Sequence, residues 1–274
     1  MIMKAGWTIK MPKQVPPAVS NQFTAMIPSG IILTGSGAFN AFAHTDFLNW
    51  IYNTLQIPLQ GISDSFGGAL AIGFLVPFFW FFGVHGGFMG SLVAPMLQAN
   101  TADNARLFAA GKLSLANGAH IVTNEFYNNF INLTGSGITI GLIVFTLVAA
   151  KSVQLKSIGK LELVPGIFNI NEPFLFGLPI VMNPMLAVPF FLTPLVVAAS
   201  TYLVIKTGIV PPLNGAAAPW TTPAVIFGFL IGGWKMAIWQ FCTLLISTAI
   251  YWPFAKKYDK VLLAKEQKEA EEAK

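Results

Sequence analysis

The sequence predicts an all-α polytopic membrane protein, and three observations support that prediction. Of 274 residues, 54% are hydrophobic and only 10% are charged, whereas a soluble domain usually carries about 25% charged residues. Long stretches lack Asp, Glu, Lys and Arg altogether, and a helical crossing of a bilayer needs about 20 apolar residues. The remaining charges are mainly lysines at the ends of these stretches, a pattern that sets topology in membrane proteins. The uncharged stretches are 14–45, 65–102, 126–150, 173–205, 207–234 and 236–255.

Composition also argues against other classes of protein. A large soluble helical protein would show polar faces along its helices, which these stretches lack. The net charge of +5 comes from the ends of apolar runs, so no nucleic-acid partner is expected. The single cysteine, Cys242, cannot form a disulfide framework, and its apolar surroundings are typical of a small buried residue. We expect no metal site and no cofactor.

The apolar segments of the chain are of two kinds, uninterrupted and interrupted. Uninterrupted runs predict membrane crossings at 23–43, 131–150, 185–205 and 236–255. Runs interrupted by Gly, Pro or Asn predict a crossing followed by a re-entrant or broken helix at 66–97, and re-entrant or broken segments at 163–182 and 209–223. Such irregular backbone persists at membrane depth only where protein or water covers it.

The remaining segments are polar or amphipathic. One apolar face in Phe47–Gln56 predicts a helix lying on the membrane surface. The polar stretch Thr101–Glu125 is expected outside the hydrocarbon core. We expect residues 1–260 to form a membrane-embedded domain and residues 261–274 to form a charged tail, either a solvated helix or a frayed end.

Two ionisable residues, His85 and Glu172, lie deep inside apolar sequence. A charge at membrane depth is costly, so such residues usually line a substrate path or pair with each other. Three other interpretations stay open. His85 could be a core histidine with satisfied hydrogen bonds, Glu172 could lie at a water-exposed bend, or both could cap helices.

The residues around Glu172 suit a polyol better than an ion. A sugar entering the membrane needs replacement hydrogen bonds for those it made with water. A carboxylate accepts from two hydroxyls, and the amides of Asn169 and Asn171 both donate and accept. Trp220, between Pro219 and Pro223, is the best-placed aromatic surface for a pyranose ring, and Trp80 is a second candidate.

Three segments carry a resemblance to a known family. Phe168-Asn169-Ile170-Asn171-Glu172-Pro173-Phe174-Leu175-Phe176-Gly177-Leu178-Pro179 resembles the signature loop of phosphotransferase-system enzyme IIC subunits of the lactose/cellobiose family. Val84-His85-Gly86 resembles that family's His-Gly step, and Val15-Pro16-Pro17-Ala18-Val19-Ser20 resembles the start of its mid-chain helix. The similarity extends from about Lys13 to Lys260.

The resemblance implies a function and a set of partners. Family members pass a β-linked disaccharide through the bacterial cell membrane to a IIB partner, whose phosphocysteine phosphorylates the sugar's 6-hydroxyl. IIA and HPr act upstream of IIB, and a full-length permease is expected to be a homodimer. The resemblance makes His85 and Glu172 the catalytic polar pair, with Gly86, Asn169, Asn171 and Trp220 also binding the sugar. The chain would then be the membrane subunit of a protein-phosphohistidine–sugar phosphotransferase.

The chain also departs from the family pattern. The family's N-terminal scaffold helices are expected to be absent, so a natural fragment or a truncated gene model is one alternative. No IIB-type phosphocysteine motif is present, and Cys242 lies in a membrane helix. A second alternative is an ion-coupled secondary transporter, in which His85 and Glu172 would carry protons and the sugar would stay unphosphorylated.

The lysine pattern yields a topology prediction. Lys151–Lys160 and Lys256–Lys260 should both face the cytoplasm, because lysines are enriched in cytoplasmic loops. We expect Ser157→Cys and Ala270→Cys, each in a Cys242→Ala background, to resist an impermeant thiol reagent added to intact cells and to react after permeabilisation. Labelling of either position in intact cells would refute this topology.

Overall fold

The structure is a computed structural model that describes residues 30–31, 34–35, 37–38, 63–178 and 180–272. The chain divides into two compact units, Met1–Ile57 and Pro58–Lys274. The described residues of the first unit are helical and belong to the crossing predicted at 23–43. The predicted surface helix Phe47–Gln56 and the segment Val15–Ser20 lie outside the described residues.

Every regular element described in the second unit is helical, which confirms the predicted fold class. The helices are α1 (Phe66–Phe81), α2 (Gly87–Ala109), α3 (Asn124–Phe126), α4 (Ile140–Val148), α5 (Val153–Ile167), α6 (Glu172–Gly177), α7 (Pro184–Lys206) and α8 (Ile226–Glu272). A 3₁₀ turn lies at Leu115–Asn117, and α3 continues as a π-helical turn, Tyr127–Ile131.

Two of the described helices are long and apolar enough to cross a membrane. They are α7, with a mean hydropathy of 2.0, and α8, with 1.4, and they contain the crossings predicted at 185–205 and 236–255. Gly233, with φ 72° and ψ −167°, breaks α8 one turn before the predicted crossing. The charged tail continues α8 as a helix through Glu272.

The crossing predicted at 131–150 is wrong in its first half. Only Ile140–Val148 is helical, and the backbone between Asn132 and Thr139 turns through residues with positive φ, including Thr134 at 55° and Ile138 at 52°. The run from Leu133 to Ile138 contains small residues that fit a packed membrane helix as well as a turn. Hydropathy therefore could not reveal the break.

The breaks predicted elsewhere are present, with different boundaries. Between Phe66 and Leu97 only residues 82–86 interrupt the helix, and Pro77 and Pro95 lie inside α1 and α2. Residues 168–171 separate α5 from α6, and residues 207–225 separate α7 from α8. The α2 helix continues to Ala109, into the stretch predicted to be polar and outside the core.

Packing joins these helices around one core. The most extensive contacts are those of α8 with α4 and of α7 with α1. Phe126, Phe130, Phe190 and Tyr251 are fully buried between them. The outer surface is apolar too: Phe241 and Leu245 of α8 are each more than half exposed, as expected for a surface that contacts lipid.

Carboxylates on α8 cap the amino end of α5. Asp259, only 4% exposed, accepts hydrogen bonds from the backbone amides of Lys151 and Ser152 and from the Ser152 hydroxyl at 2.7–3.1 Å. Glu266 accepts from the next two amides at 3.0 Å. Negative charge is favourable at a helix amino end, so these bonds fix α5 against α8. They also give the tail a tertiary contact that its composition did not predict.

A second charged cluster fixes the loop after α2. His120 Nδ1 lies 2.8 Å from Asp64 Oδ2, and His120 Nε2 lies 3.3 Å from Asp103 Oδ2. Asp64 also accepts from the amides of Ile121 and Val122 at 2.7–2.8 Å. The hydrogen bond that His120 donates to Asp64 raises the pKa of His120, burial opposes this effect, and the charges of Asp64 and Asp103 raise the pKa further.

This cluster predicts a pH-dependent contribution to stability. Because the folded-state pKa of His120 lies above its model value of 6.5, the stabilisation is complete below pH 6.5 and is lost as the pH rises through the folded pKa. His120→Gln should therefore lower the free energy of unfolding by about 1.5–3 kcal/mol at pH 6 and by less at pH 9. Thermal melts at both pH values measure this difference, with Lys112→Gln in the same loop as the control. Equal losses at the two pH values would contradict the assignment.

Candidate functional site

The breaks between helices meet at one cleft of about 190 Å³. The turn after α1, the π-helical turn with the irregular segment that follows it, the α5–α6 turn and the α7–α8 loop each contribute to its wall. The lining residues are Trp80, His85, Gly86, Gly87, Tyr127, Asn128, Asn132, Gly135, Ser136, Asn169, Asn171, Glu172 and Trp220. All six residues predicted as site residues from the sequence are among them. Their proximity is a structural finding, and their roles stay predictions.

His85 lies in the turn between α1 and α2 and is exposed to the cleft. Its Nδ1 accepts a hydrogen bond from the Gly87 amide at 3.0 Å, and its ring centre lies 4.6 Å from that of Trp80. A Cβ atom at Gly86 would lie 2.2 Å from the indole Nε1 of Trp80. Gly86 therefore has a steric role, because it leaves room for the indole that packs against His85.

Asn169 is committed to the backbone of neighbouring segments. It has a φ of 64° and is 5% exposed. Its Oδ1 accepts from the Thr134 amide at 2.8 Å, and its Nδ2 donates to the carbonyls of Trp220 and Thr222 at 2.7 and 3.0 Å. One side chain thus ties the α5–α6 turn to two of the other segments that form the cleft.

Asn171 makes a second tie of the same kind. Its Nδ2 donates to the Ser136 carbonyl at 2.7 Å and to Thr139 Oγ1 at 3.0 Å. Gly135 has a φ of 88°, and a Cβ atom there would lie 2.2 Å from Cγ of Asn171. Positive φ and this close approach together require glycine at position 135. The amide donors of Asn169 and Asn171 therefore hold the wall of the cleft.

Glu172 begins α6 and is half-buried at the cleft. Its Oε2 accepts from the Asn171 amide at 3.1 Å. Pro173 follows in the first turn, where its missing amide hydrogen removes no helical hydrogen bond. A carboxylate has about four lone-pair sites, so Glu172 keeps acceptor capacity for a ligand in the cleft.

Trp220 lines the cleft from the α7–α8 loop. Its side chain is 54% exposed, while its carbonyl is held by Asn169. The backbone of Trp220 is therefore fixed, while much of the residue remains accessible. Trp80, the second aromatic candidate, is 7% exposed and packs against His85.

The sequence did not identify the wall formed by Tyr127, Asn128, Asn132 and Ser136. These residues lie next to or inside a run that was predicted as an uninterrupted crossing. The sequence feature that could have identified these residues is the high density of Asn between 128 and 132, directly before Leu133-Thr134-Gly135-Ser136-Gly137. The Ser136 hydroxyl is buried without a hydrogen-bond partner among the described residues. The described residues also contain no group of three His, Cys, Asp or Glu side chains that could hold a metal ion.

Glu162 of α5 is a buried acid that sequence reasoning also missed. Its side chain is fully buried, and neither carboxylate oxygen has a hydrogen-bond partner in the described part of the chain. Burial and, to a lesser extent, the negative charge of Glu172 raise the pKa of Glu162 to about 8. The α5 helix is not one of the two candidate membrane spans.

Glu162 predicts a stability loss with rising pH. The folded-state pKa of about 8 exceeds the model value of 4.5, so ionisation opposes folding increasingly between these two pH values and by a constant amount above them. Each pH unit in that window should destabilise the protein by up to about 1.4 kcal/mol. Glu162→Gln removes the ionisation and should raise the melting temperature at pH 8 while changing it little below pH 4.5.

The matched control is Glu271→Gln, which removes an exposed carboxylate from the tail and should leave the pH profile of the wild-type chain unchanged. A Glu162→Gln variant with the wild-type profile would show that the acid is hydrated or paired in solution.

Comparison with known proteins identifies relatives along almost the whole chain. The oligo-beta-mannoside-specific EIIC component of the phosphotransferase system of Bacillus subtilis (strain 168) is 39% identical over 276 residues, which cover 98% of this chain and 62% of that protein. The cellobiose-specific EIIC component of Geobacillus stearothermophilus is 37% identical, covering 97% and 60%. The lactose-specific EIICB component of Lacticaseibacillus casei is also 37% identical, covering 98% and 47%.

The fold has a counterpart among solved structures. The crystal structure of the transporter ChbC, the IIC component from the N,N'-diacetylchitobiose-specific phosphotransferase system, matches with a TM-score of 0.76 and 37% identity over 97% of this chain and 62% of that one. The chain thus spans about 60% of the length of the first two relatives and of this transporter. The family model described as "Phosphotransferase system, EIIC" matches residues 1–194, and the chain belongs to this family of membrane proteins.

Proposed function

We propose that the chain is the sugar-translocating component of a phosphoenolpyruvate-dependent phosphotransferase system, and that the cleft binds a β-linked disaccharide. The observation that carries this proposal is the convergence of His85 and Glu172 at one cleft beside two indole rings. A carboxylate, an imidazole and flat aromatic faces together match the hydroxyls and the apolar faces of a pyranose. The specificities named for the relatives, oligo-beta-mannoside, cellobiose and N,N'-diacetylchitobiose, favour a β-linked sugar.

The polar residues at the cleft divide into two groups with different roles. Asn169 and Asn171 hold the wall, because their amide donors bond to backbone carbonyls and to Thr139. Glu172 is the principal acceptor for sugar hydroxyls. The Ser136 hydroxyl, unpartnered among the described residues, is placed to pair with a sugar once the wall adjusts. Trp220, which lines the cleft and is 54% exposed, stacks on one ring of the sugar.

The hydrogen bond to His85 assigns it a role as a donor. Because Nδ1 accepts from the Gly87 amide, the neutral ring carries its proton on Nε2 and presents a donor to the cleft. Such a ring orients a sugar oxygen by donating a hydrogen bond to it. Glu172 is then the proton acceptor when the sugar oxygen attacks phosphorus and the thiolate of the partner's cysteine leaves.

The phosphoryl group comes from a separate IIB chain in this proposal. The fused relative from Lacticaseibacillus casei is named as an EIICB component, which supports a direct contact between IIC and IIB. IIA and HPr act upstream of IIB and are therefore indirect partners of this chain. The membrane is that of a bacterial cell, and the carboxyl terminus faces the cytoplasm. The family's full-length form is proposed to be a homodimer.

The test separates binding from phosphorylation on the same purified variants. Wild-type chain in lipid nanodiscs should bind cellobiose more tightly than the α-linked disaccharide maltose. Glu172→Gln should weaken cellobiose binding roughly tenfold or more, because charge-assisted hydrogen bonds contribute about 1.5–3 kcal/mol. His85→Gln, which keeps a donor, should retain more binding than His85→Ala. Calorimetry measures binding, and mass spectrometry measures IIB-dependent sugar phosphate.

Glu271→Gln is the control for removing a carboxylate far from the cleft, and it should bind like the wild type. Wild-type binding by Glu172→Gln would remove this residue from the sugar site. Sugar uptake driven by an ion gradient, with the sugar recovered unphosphorylated, would instead establish a secondary transporter.

A further inference from the structure

A second cavity, of about 390 Å³, shares no residue with the sugar cleft. It lies where the end of α4 and the residues that follow it meet the carboxyl-terminal half of α8. Lysines, an aspartate and aromatic or aliphatic side chains form its walls, and the principal ones are Phe145, Lys151, Trp252, Lys256, Asp259 and Lys260. Neither the sugar-binding proposal nor the family match assigns it a role.

The cavity is positively charged. The side chains of Lys151, Lys256 and Lys260 belong to exposed residues, and no ion pair within 4.0 Å involves them in the described part of the chain. Asp259 is the acid in its wall, but its carboxylate is buried and accepts the amides and hydroxyl at the amino end of α5. Three ammonium groups therefore remain to attract an anion.

The other half of the cavity is apolar. The ring of Phe145 packs edge-on against Trp252, with ring centres 5.3 Å apart and planes at 86°. Trp252 is partly exposed and lies near the end of the predicted crossing at 236–255. Tryptophan is enriched at this depth, where the indole contacts both headgroups and hydrocarbon. A soluble anion would gain little from this apolar wall.

An apolar strip on the outer surface of α8 leads to the cavity. Ile238, Phe241 and Leu245 are 53%, 51% and 54% exposed, and their spacing places them on the same helical face as Trp252 and Lys256. On α4 the neighbouring Val148 is 74% exposed. Along one face of a candidate membrane span, the surface thus passes from exposed apolar side chains to an indole and then to lysines.

We propose that this cavity binds the phosphate headgroup of an anionic phospholipid, with an acyl chain lying along the Ile238–Leu245 strip. Lysine ammonium groups bind phosphate as point charges, and basic pockets at the ends of membrane helices suit anionic headgroups. The lipid contacts Lys151 next to the Asp259 bonds that cap α5, so its binding stabilises the junction of α5 and α8. This proposal is independent of the sugar that the cleft binds.

The test uses the purified chain in detergent and three additives: phosphatidylglycerol, phosphatidylcholine with the same acyl chains, and inorganic phosphate. Phosphatidylglycerol should raise the melting temperature saturably, and native mass spectrometry should detect one tightly bound lipid per chain. Phosphatidylcholine and inorganic phosphate should each give a much smaller shift. Lys256→Gln/Lys260→Gln should weaken phosphatidylglycerol binding at least about tenfold, because each lysine near a headgroup contributes about 1 kcal/mol.

The matched control is Lys265→Gln/Lys268→Gln, which removes two lysines from the same helix, outside the cavity, where they pair with Glu269 and Glu272. This control should keep the full lipid effect. The proposal would be overturned by an equal shift with phosphatidylcholine, by the full shift with inorganic phosphate alone, or by equal losses in the two double variants. Retention of phosphatidylglycerol binding by Lys256→Gln/Lys260→Gln would also overturn it, and loss of IIB binding in that variant would then assign the lysines to a protein contact.

Discussion

The structure depends on hydrogen bonds to one irregular stretch of backbone, residues 132–139, which lies inside an apolar run. Backbone polar groups removed from water need partners, and no regular helix supplies them there. Asn169 bonds to the Thr134 amide, and Asn171 bonds to the Ser136 carbonyl. From α8, Tyr251 donates to the Gly137 carbonyl at 2.8 Å, and Ser247 donates to that of Ile138 at 2.6 Å. The break is therefore held by side chains from two distant parts of the chain.

This constraint explains why the polar residues at the cleft are not interchangeable. A side chain whose donors are committed to backbone carbonyls sets the shape of the wall, because its removal leaves buried backbone groups without partners. Asn169 and Asn171 are in this position. His85 and Glu172 each use one atom in a short local bond and keep others for a ligand. Removing the side-chain amide of Asn169 or Asn171 should therefore disturb the fold as well as the site. Removing the charge of Glu172 tests sugar binding with less disturbance of the fold.

The sequence predicted the parts of the fold that local chemistry decides. The crossings in α7 and α8 follow from apolar length, and the break before Glu172 follows from Asn and Pro within an apolar block. The irregular backbone at 132–139 could not be predicted from the sequence. Gly135 and its small neighbours suit a packed helix equally well, and the side chains that hydrogen-bond to this irregular stretch are remote in sequence. For the same reason the sequence placed Asn169 at the site but could not show whether its amide faces a ligand or the backbone.

Side chains of the long helix α8 hydrogen-bond to several of these segments. Ser247 and Tyr251 hold the irregular segment, while Gln240, fully buried, accepts from the amides of Val225 and Gly228 at 2.7 Å and so fixes the first turn of α8 across the Gly233 break. Farther along, Asp259 caps α5, the helix that leads into the Asn169–Glu172 turn. The wall of the cleft and the lysine-lined cavity thus both contact α8, at different positions along its length. The two sites share no residue, so the proposed lipid would act on the cleft through the contact between α8 and α5 and not by touching the sugar.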